Sequence, residues 1–226
     1  METKGIGGYE KVQFDGASIF SKASEESSSW LTLQLMPQEA VCSIIPSVKH
    51  WQKPPINFVK CNMATSWMKG NENFGATWLV RDSQGIPVFH SRRAFAPRGA
   101  SMEAELMSIR WVLEAMHDLR IRKIIVETSS DTLWEAITCP HNFPHLTVEL
   151  SRIIRALYQF DQCHIELVSA GTNDIAVEIA TSVTKDRRYQ SYIANGGPGW
   201  LSSSIRDSEP RWEVVVRTRN FPLSSP

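Results

Sequence analysis

The stretch Phe74-Gly75-Ala76-Thr77-Trp78-Leu79-Val80-Arg81-Asp82-Ser83-Gln84-Gly85-Ile86-Pro87-Val88-Phe89-His90-Ser91 decides the fold. Its two apolar, β-rich runs, 74–81 and 86–91, flank the polar turn Asp82–Gly85. A short glycine-containing turn between such runs favours antiparallel pairing, so the stretch predicts a hairpin. Upstream, Asn57–Met63 is a third β-rich run, and Pro54-Pro55 before it stops any earlier helix. Downstream the period changes. From Ser101, the residues Leu106, Ile109, Val112, Leu113, Met116 and Leu119 recur at helical spacing, which predicts a helix of about five turns.

Lys123–Glu127 then reads as a short apolar strand. Ser129 or Ser130 is an N-cap for a helix carrying Leu133, Trp134 and Ile137, which Cys139-Pro140 ends. A further helix is expected over about Leu146–Phe160, and a strand over His164–Ser169. Thr172 or Asn173 caps a last helix bearing Ile175, Ala176, Ile179, Ala180 and Val183. The order β-β-β-α-β-α-α-β-α is an antiparallel meander passing into strand–helix crossovers. It predicts an α/β fold: a mixed sheet with helices on its faces.

The flanks differ in character. Residues 1–50 lack sustained periodicity, contain the serine-rich Ala23–Ser29, and are read as an irregular leader or linker with one amphipathic patch at Trp30–Met36. Residues 202–226 are read as a basic, mostly irregular tail with Arg206, Arg211, Arg217 and Arg219 and a strand-like Trp212–Val216. A folded domain is expected between them, over 51–201.

Of the 226 residues, 42% are hydrophobic and 21% charged, a globular composition. Formal net charge is zero, which excludes a whole-chain attraction to nucleic acid and leaves only local patches to supply one. No apolar run reaches the roughly 18 residues of a membrane span, and Met1–Glu10 has no signal-peptide core. Cys42, Cys61, Cys139 and Cys163 form no CxxC pair, the pattern of reduced intracellular thiols, in nucleus or cytoplasm alike.

The element order and the local wording together resemble a known family. Lys60-Cys61-Asn62 with Ser66-Trp67, Ala76–Asp82 with Gly85, Glu103-Ala104-Glu105-Leu106, and Ala194–Leu201 resemble successive segments of the plant ribonuclease H-like, or reverse-transcriptase-like, retroelement-derived domains. The resemblance spans about Trp51–Leu201. It implies a ribonuclease H-like fold with a five-stranded mixed sheet, its first three strands antiparallel. It also implies an activity: two-metal hydrolysis of RNA in an RNA–DNA hybrid, with two Mg²⁺ ions about 4 Å apart held by clustered carboxylates.

Carried over position by position, the four family carboxylates fall on Ala64, Glu105, Ser129 and Val177. A methyl, a hydroxyl and an isopropyl group replace three anions, and no histidine matches the loop near Leu167–Thr172. The resemblance therefore implies a degenerate centre in which Glu105 is the remaining catalytic and metal-binding candidate. Asp131 and Asp174 are substitutes whose ordinary role is to stabilise a helix dipole. No cofactor is expected, with Mg²⁺ only in the enzyme alternative: a ribonuclease using Glu105 and relocated acids.

Basic residues near these loops contact phosphates in the family, which nominates Lys60, Lys69, Arg92, Arg93 and Arg98 for RNA or hybrid binding, against the reading that they are an ordinary solvated hairpin edge. A protein partner is the other binding expectation. Trp67 and Trp78 are read as packing between sheet and helix, with stacking on bases the competing use. Cys139-Pro140-His141 and His145 have metal-binding side chains, but two prolines and no nearby fourth ligand make this a loop between helices.

Overall fold

The computed structural model describes residues 20–25, 27–28, 43–44, 52–201 and 217–221. Its strands are β1 (Ser43–Ile44), β2 (Val59–Ser66), β3 (Phe74–Arg81), β4 (Pro87–Phe95), β5 (Lys123–Thr128), β6 (Gln162–Leu167), β7 (Tyr192–Asn195) and β8 (Arg217–Phe221). The helices that cover them are α1 (Ser101–Asp118), α2 (Asp131–Thr138), α3 (Thr147–Leu157) and α4 (Asp174–Thr184). No described helix is long and apolar enough to cross a membrane.

The sheet runs in the order β1-β8-β6-β5-β2-β3-β4-β7. β2–β3 and β3–β4 pair antiparallel, and β2–β5 and β5–β6 pair parallel. These five are the strands expected from the sequence. The hairpin forms as read: the Asp82 carboxylate accepts from the backbone N–H of Gln84 and Ile86, both at 2.9 Å, and Gly85 takes the left-handed φ of +82°.

The sheet is wider than the expected five strands. β7 pairs with β4 at one edge, and β8 with β6 and β1 at the other. The expected boundaries at 51 and 201 therefore do not mark the edges of the sheet. Two residues in β1 carry no periodicity to read, and β8 has a single apolar residue, Phe221, in Arg217-Thr218-Arg219-Asn220-Phe221. The Trp30–Met36 and Trp212–Val216 segments lie outside the described residues.

Side chains alternate across each strand, so the sheet has two unlike faces. Cys61, Met63, Trp78, Val80, Ile124, Val126, Cys163 and Ile165 pack with the apolar stripes of α1, α2 and α3 into the main core. Full burial of such side chains contributes about 1.5–3 kcal/mol each. On the other face, α4 lies across β2, β3 and β4. Leu79, Ile175, Ile179 and Leu201 cluster there, and Ala64, Ala176 and Ala180 form a patch of small residues. Gly75 permits that approach: a Cβ placed on it would stand 2.4 Å from the Ala180 carbonyl oxygen.

Candidate functional site

Lys60, Asn62 and Ala64 alternate along β2 and share the α4 face. Lys60 is the first surprise. It is 5% exposed, and its Nζ lies 2.6 Å from Glu127 Oε1 on β5 and 3.2 Å from Glu166 Oε2 on β6. Burial lowers the ammonium's affinity for its proton, but the charges and hydrogen bonds of both carboxylates outweigh it and hold the pKa above the ordinary lysine value. Burial raises the Glu166 carboxyl even with Lys60 beside it. This fits one ammonium shared by two carboxylates, Glu127 being the nearer. Lys60 is thus an internal counter-ion, and its assignment to phosphate binding is corrected. β2 begins at Val59, so residue 60 sits inside the strand on a covered face, not at a solvated flank.

Next along the strand, Asn62 Nδ2 donates to Glu127 Oε2 and, at 3.4 Å, to Asn173 Oδ1. Asn173 occupies the N-cap position of α4, but its side chain makes no cap bond. It reaches across to β2 instead, where Nδ2 donates to the Met63 carbonyl at 2.7 Å, and it also lies 3.4 Å from Ser129 Oγ. Of the two serines proposed to cap α2, Ser130 does so: its Oγ accepts from Leu133 N at 3.1 Å. The same hydroxyl donates to Glu105 Oε2 at 2.6 Å, while Ser101 Oγ donates to Oε1 at 3.4 Å.

These bonds gather the four positions read from the sequence. Glu105 on α1 is tied to Ser130, the neighbour of Ser129; Ser129 touches Asn173; Asn173 holds the carbonyl of Met63, the neighbour of Ala64; and Ala64 packs on Ala176, the neighbour of Val177. Val177 is one turn beyond Asn173, bonding its N–H to the Asn173 carbonyl at 3.0 Å, with its side chain 39% exposed. Asp131 and Asp174 are the exposed first residues of α2 and α4, placed to favour the positive helix ends.

A pair of Mg²⁺ ions needs several hard anionic oxygens. The four positions offer one carboxylate, already hydrogen-bonded at both oxygens by serine hydroxyls, plus a methyl group packed against two alanines, a hydroxyl beside an amide, and an isopropyl group, while the neighbouring Glu127 is taken up by Lys60 and Asn62. These residues do not fit the two-metal group. Among the described residues, no cluster of three or more His, Cys, Asp or Glu side chains is arranged to hold a metal ion. Cys139, His141 and His145 fall where two 3₁₀ turns, Pro140–Asn142 and Pro144–Leu146, link α2 to α3.

The remaining basic candidates line the other end of the hairpin region. Lys69 is exposed in the β2–β3 loop. Half-buried Trp67 in that loop donates its indole N–H to the Arg98 carbonyl at 2.9 Å, pinning it to the β4–α1 loop. Arg98 is exposed, with Nη2 3.5 Å from Met107 Sδ. Arg93 is exposed above the Phe95 ring at 4.8 Å. Arg92 turns inward to Ser182 Oγ at 3.3 Å and lies 5.0 Å from the Tyr192 ring centre. Trp78 is fully buried against Trp111 in the main core. The sequence reading missed Asn62, Glu127, Glu166 and the bridging role of Asn173. Glu127, a charge closing the apolar run Ile124-Ile125-Val126, was the one visible signal.

An antiparallel three-strand meander joined to two parallel strands, with helices on both faces, defines a ribonuclease H-like fold. Solved structures agree. The chain is similar to ribonuclease H1 from the archaeon Halobacterium salinarum NRC-1, at 21% identity over 57% of this chain and 98% of that one, with a TM-score of 0.52. It is also similar to LC9-RNase H1, a type 1 RNase H with the type 2 active-site motif, at 15% identity over 70% of this chain and 87% of that one, with a TM-score of 0.54. The reverse transcriptase-like family model matches residues 62–183, more than half the chain, and the chain belongs to that family. A plant relative, the putative protein phosphatase 2C-like protein 45 of Arabidopsis thaliana, is 50% identical over 44 residues, which are 20% of this chain and 18% of the relative. The chain thus matches about a fifth of that relative's length.

Proposed function

We propose that this chain is a non-hydrolytic ribonuclease H-like module that grips nucleic acid, RNA or an RNA–DNA hybrid, through a local basic rim. One observation supports the reading: of the four positions that the resemblance aligns with family carboxylates, only 105 bears a carboxyl group, and its oxygens are engaged by Ser101 and Ser130. Lys69 and Arg98 are exposed on two loops joined by the Trp67–Arg98 bond, Arg93 is exposed on β4, and phosphate is the ligand their charge suits. Since net charge is zero, such a grip is local and sensitive to salt.

A fluorogenic RNA–DNA hybrid with Mg²⁺ or Mn²⁺ tests the first half, with no turnover above background expected. Turnover abolished by Glu105→Ala would overturn it and restore the ribonuclease reading with relocated acids. Titrations of hybrid at several salt concentrations test the second half. Replacing Lys69 or Arg98 by Ala is expected to flatten the log–log salt slope by about 0.9 each. Absence of binding at low salt would leave a protein partner as the function of this surface.

A further inference from the structure

We infer a second contact surface, separate from the basic rim: the groove between α4 and the segment Gly196–Leu201 is a stacking site for an unpaired nucleotide, with Trp200 as its platform. A cavity of about 330 Å³ opens there, with Val177, Thr181 and Ser182 of α4 and Lys185 just past its end along one side and Trp200 on the other. Trp200 is 48% exposed, an unusual state for the largest apolar side chain, and Val177 continues the apolar floor.

That exposure is not the exposure of a loose end. On one side of Trp200, Leu201 is buried among Leu79, Ile175 and Ile179, and its N–H bonds to the Pro198 carbonyl at 2.9 Å. On the other, Gly196 donates to the Val88 carbonyl at 2.7 Å, while its own carbonyl lies 2.7 Å from His90 Nδ1. Both ends of the segment are fastened to the domain, and the indole between them is turned outward.

The charges beside it define the occupant. Lys185, Arg187 and Arg188 are exposed within four residues, against Asp186 among them and Glu178 on α4. The Arg188 guanidinium lies 5.2 Å from the Trp200 ring centre and pairs with Asp186 at 3.4 Å. An exposed indole with a guanidinium over its ring and a lysine nearby matches a base and its phosphate: the base stacks on the part of the indole left open, and the phosphate meets Lys185 and Arg188. A paired base already has both faces covered by its neighbours, so the platform selects unpaired nucleotides.

The nature of the ligand rests on the nucleic-acid reading above, but the residues are different, and the test separates the two. Binding of a fluorescein-labelled single-stranded RNA of mixed, non-self-pairing sequence is compared with binding of the same strand in an RNA–DNA hybrid. Trp200→Ala is expected to weaken the single strand roughly 5- to 100-fold and leave the hybrid within about twofold, while Trp200→Phe keeps most of the single-strand affinity. Arg188→Glu, on an exposed side chain outside the core, is expected to give the same split and keeps the test valid if Trp200→Ala fails to fold. Unchanged single-strand affinity in these variants, with hybrid binding intact, would overturn the stacking site alone. No binding of either probe by the wild-type chain would overturn both readings.

Discussion

Introducing a single carboxylate at residue 64 probes whether the junction is built for charge. Ala64 is 7% exposed and packs against Ala176 and Ala180, so the carboxyl introduced by Ala64→Asp would enter an apolar patch. Burial disfavours an ionised carboxyl and raises its pKa by up to about 3–5 units. Residue 64 is not wholly enclosed, so the lower end applies, from about 3.9 unfolded to about 7 folded. The sign follows from the raised folded value: the folded state holds its proton longer than the unfolded chain, so the cost grows as pH rises. At about 1.36 kcal/mol per unit, the ionisation cost of Ala64→Asp is about 1.5 kcal/mol at pH 5 and about 4 kcal/mol at pH 8. The steric cost of the larger side chain is common to both and cancels in the difference. Against a typical domain stability of about 5–15 kcal/mol, a further loss of about 2.5 kcal/mol between the two pH values is readily seen in urea unfolding. A variant no less stable than wild type, or destabilised equally at pH 5 and pH 8, would refute the placement of residue 64 in an apolar, uncompensated pocket.

Three further outcomes follow from the packing. Gly75→Ala puts a methyl carbon 2.4 Å from the Ala180 carbonyl and 2.7 Å from Val183 Cβ, so a loss of about 1–3 kcal/mol in urea unfolding is expected, or more if α4 cannot shift. Glu127→Ala removes the nearer carboxylate from buried Lys60 and is expected to cost about 3–5 kcal/mol by the same measurement, toward the low end because Glu166 remains at 3.2 Å; adding Lys60→Met should recover part of the loss. His90, whose Nε2 meets the Tyr192 hydroxyl at 3.1 Å, is held below the ordinary histidine pKa of 6.5, mainly by burial. The unfolded chain therefore takes up this proton first, and the stability His90 supplies above pH 6.5 is lost as pH falls toward its folded value. Melting temperatures between pH 7.5 and 5 should fall more steeply for wild type than for His90→Gln.

The central fold was legible because its elements carry strong local signals. β3 ends where the sequence said, α1 begins at the Ser101 period change, and the Asp82–Gly85 turn has the side-chain acceptor and glycine that a tight hairpin needs. β7 was not legible as a strand: in Tyr192-Ile193-Ala194-Asn195 the apolar residues do not alternate with polar ones, and its register comes from pairing with β4. The positions of the junction were legible by resemblance, but its bonding was not. Asn173 reads locally as a helix cap, and only the β2–α4 contact turns its amide toward the Met63 carbonyl. Lys60 misled because its acidic partners, Glu127 on β5 and Glu166 on β6, are distant in the chain, and only the pairing of the strands brings them to its side of the sheet.

Charge balance also bears on the neutral residues at positions 64, 129 and 177. Two carboxylates about 5 Å apart at an effective dielectric of about 20 repel by about 3 kcal/mol, so four of them converging on one junction are tolerable only with cations between. With neutral groups at 64, 129 and 177 that repulsion is absent, and hydrogen bonds from Ser130 to Glu105 and from Asn173 to Met63 and Ser129 link the elements that meet there. Lys69, Arg93 and Arg98 stand on the opposite side of that balance, three exposed cations of which Arg93 lies on β4 and the other two on loops, and under the proposed function it is there that an anionic partner would bind.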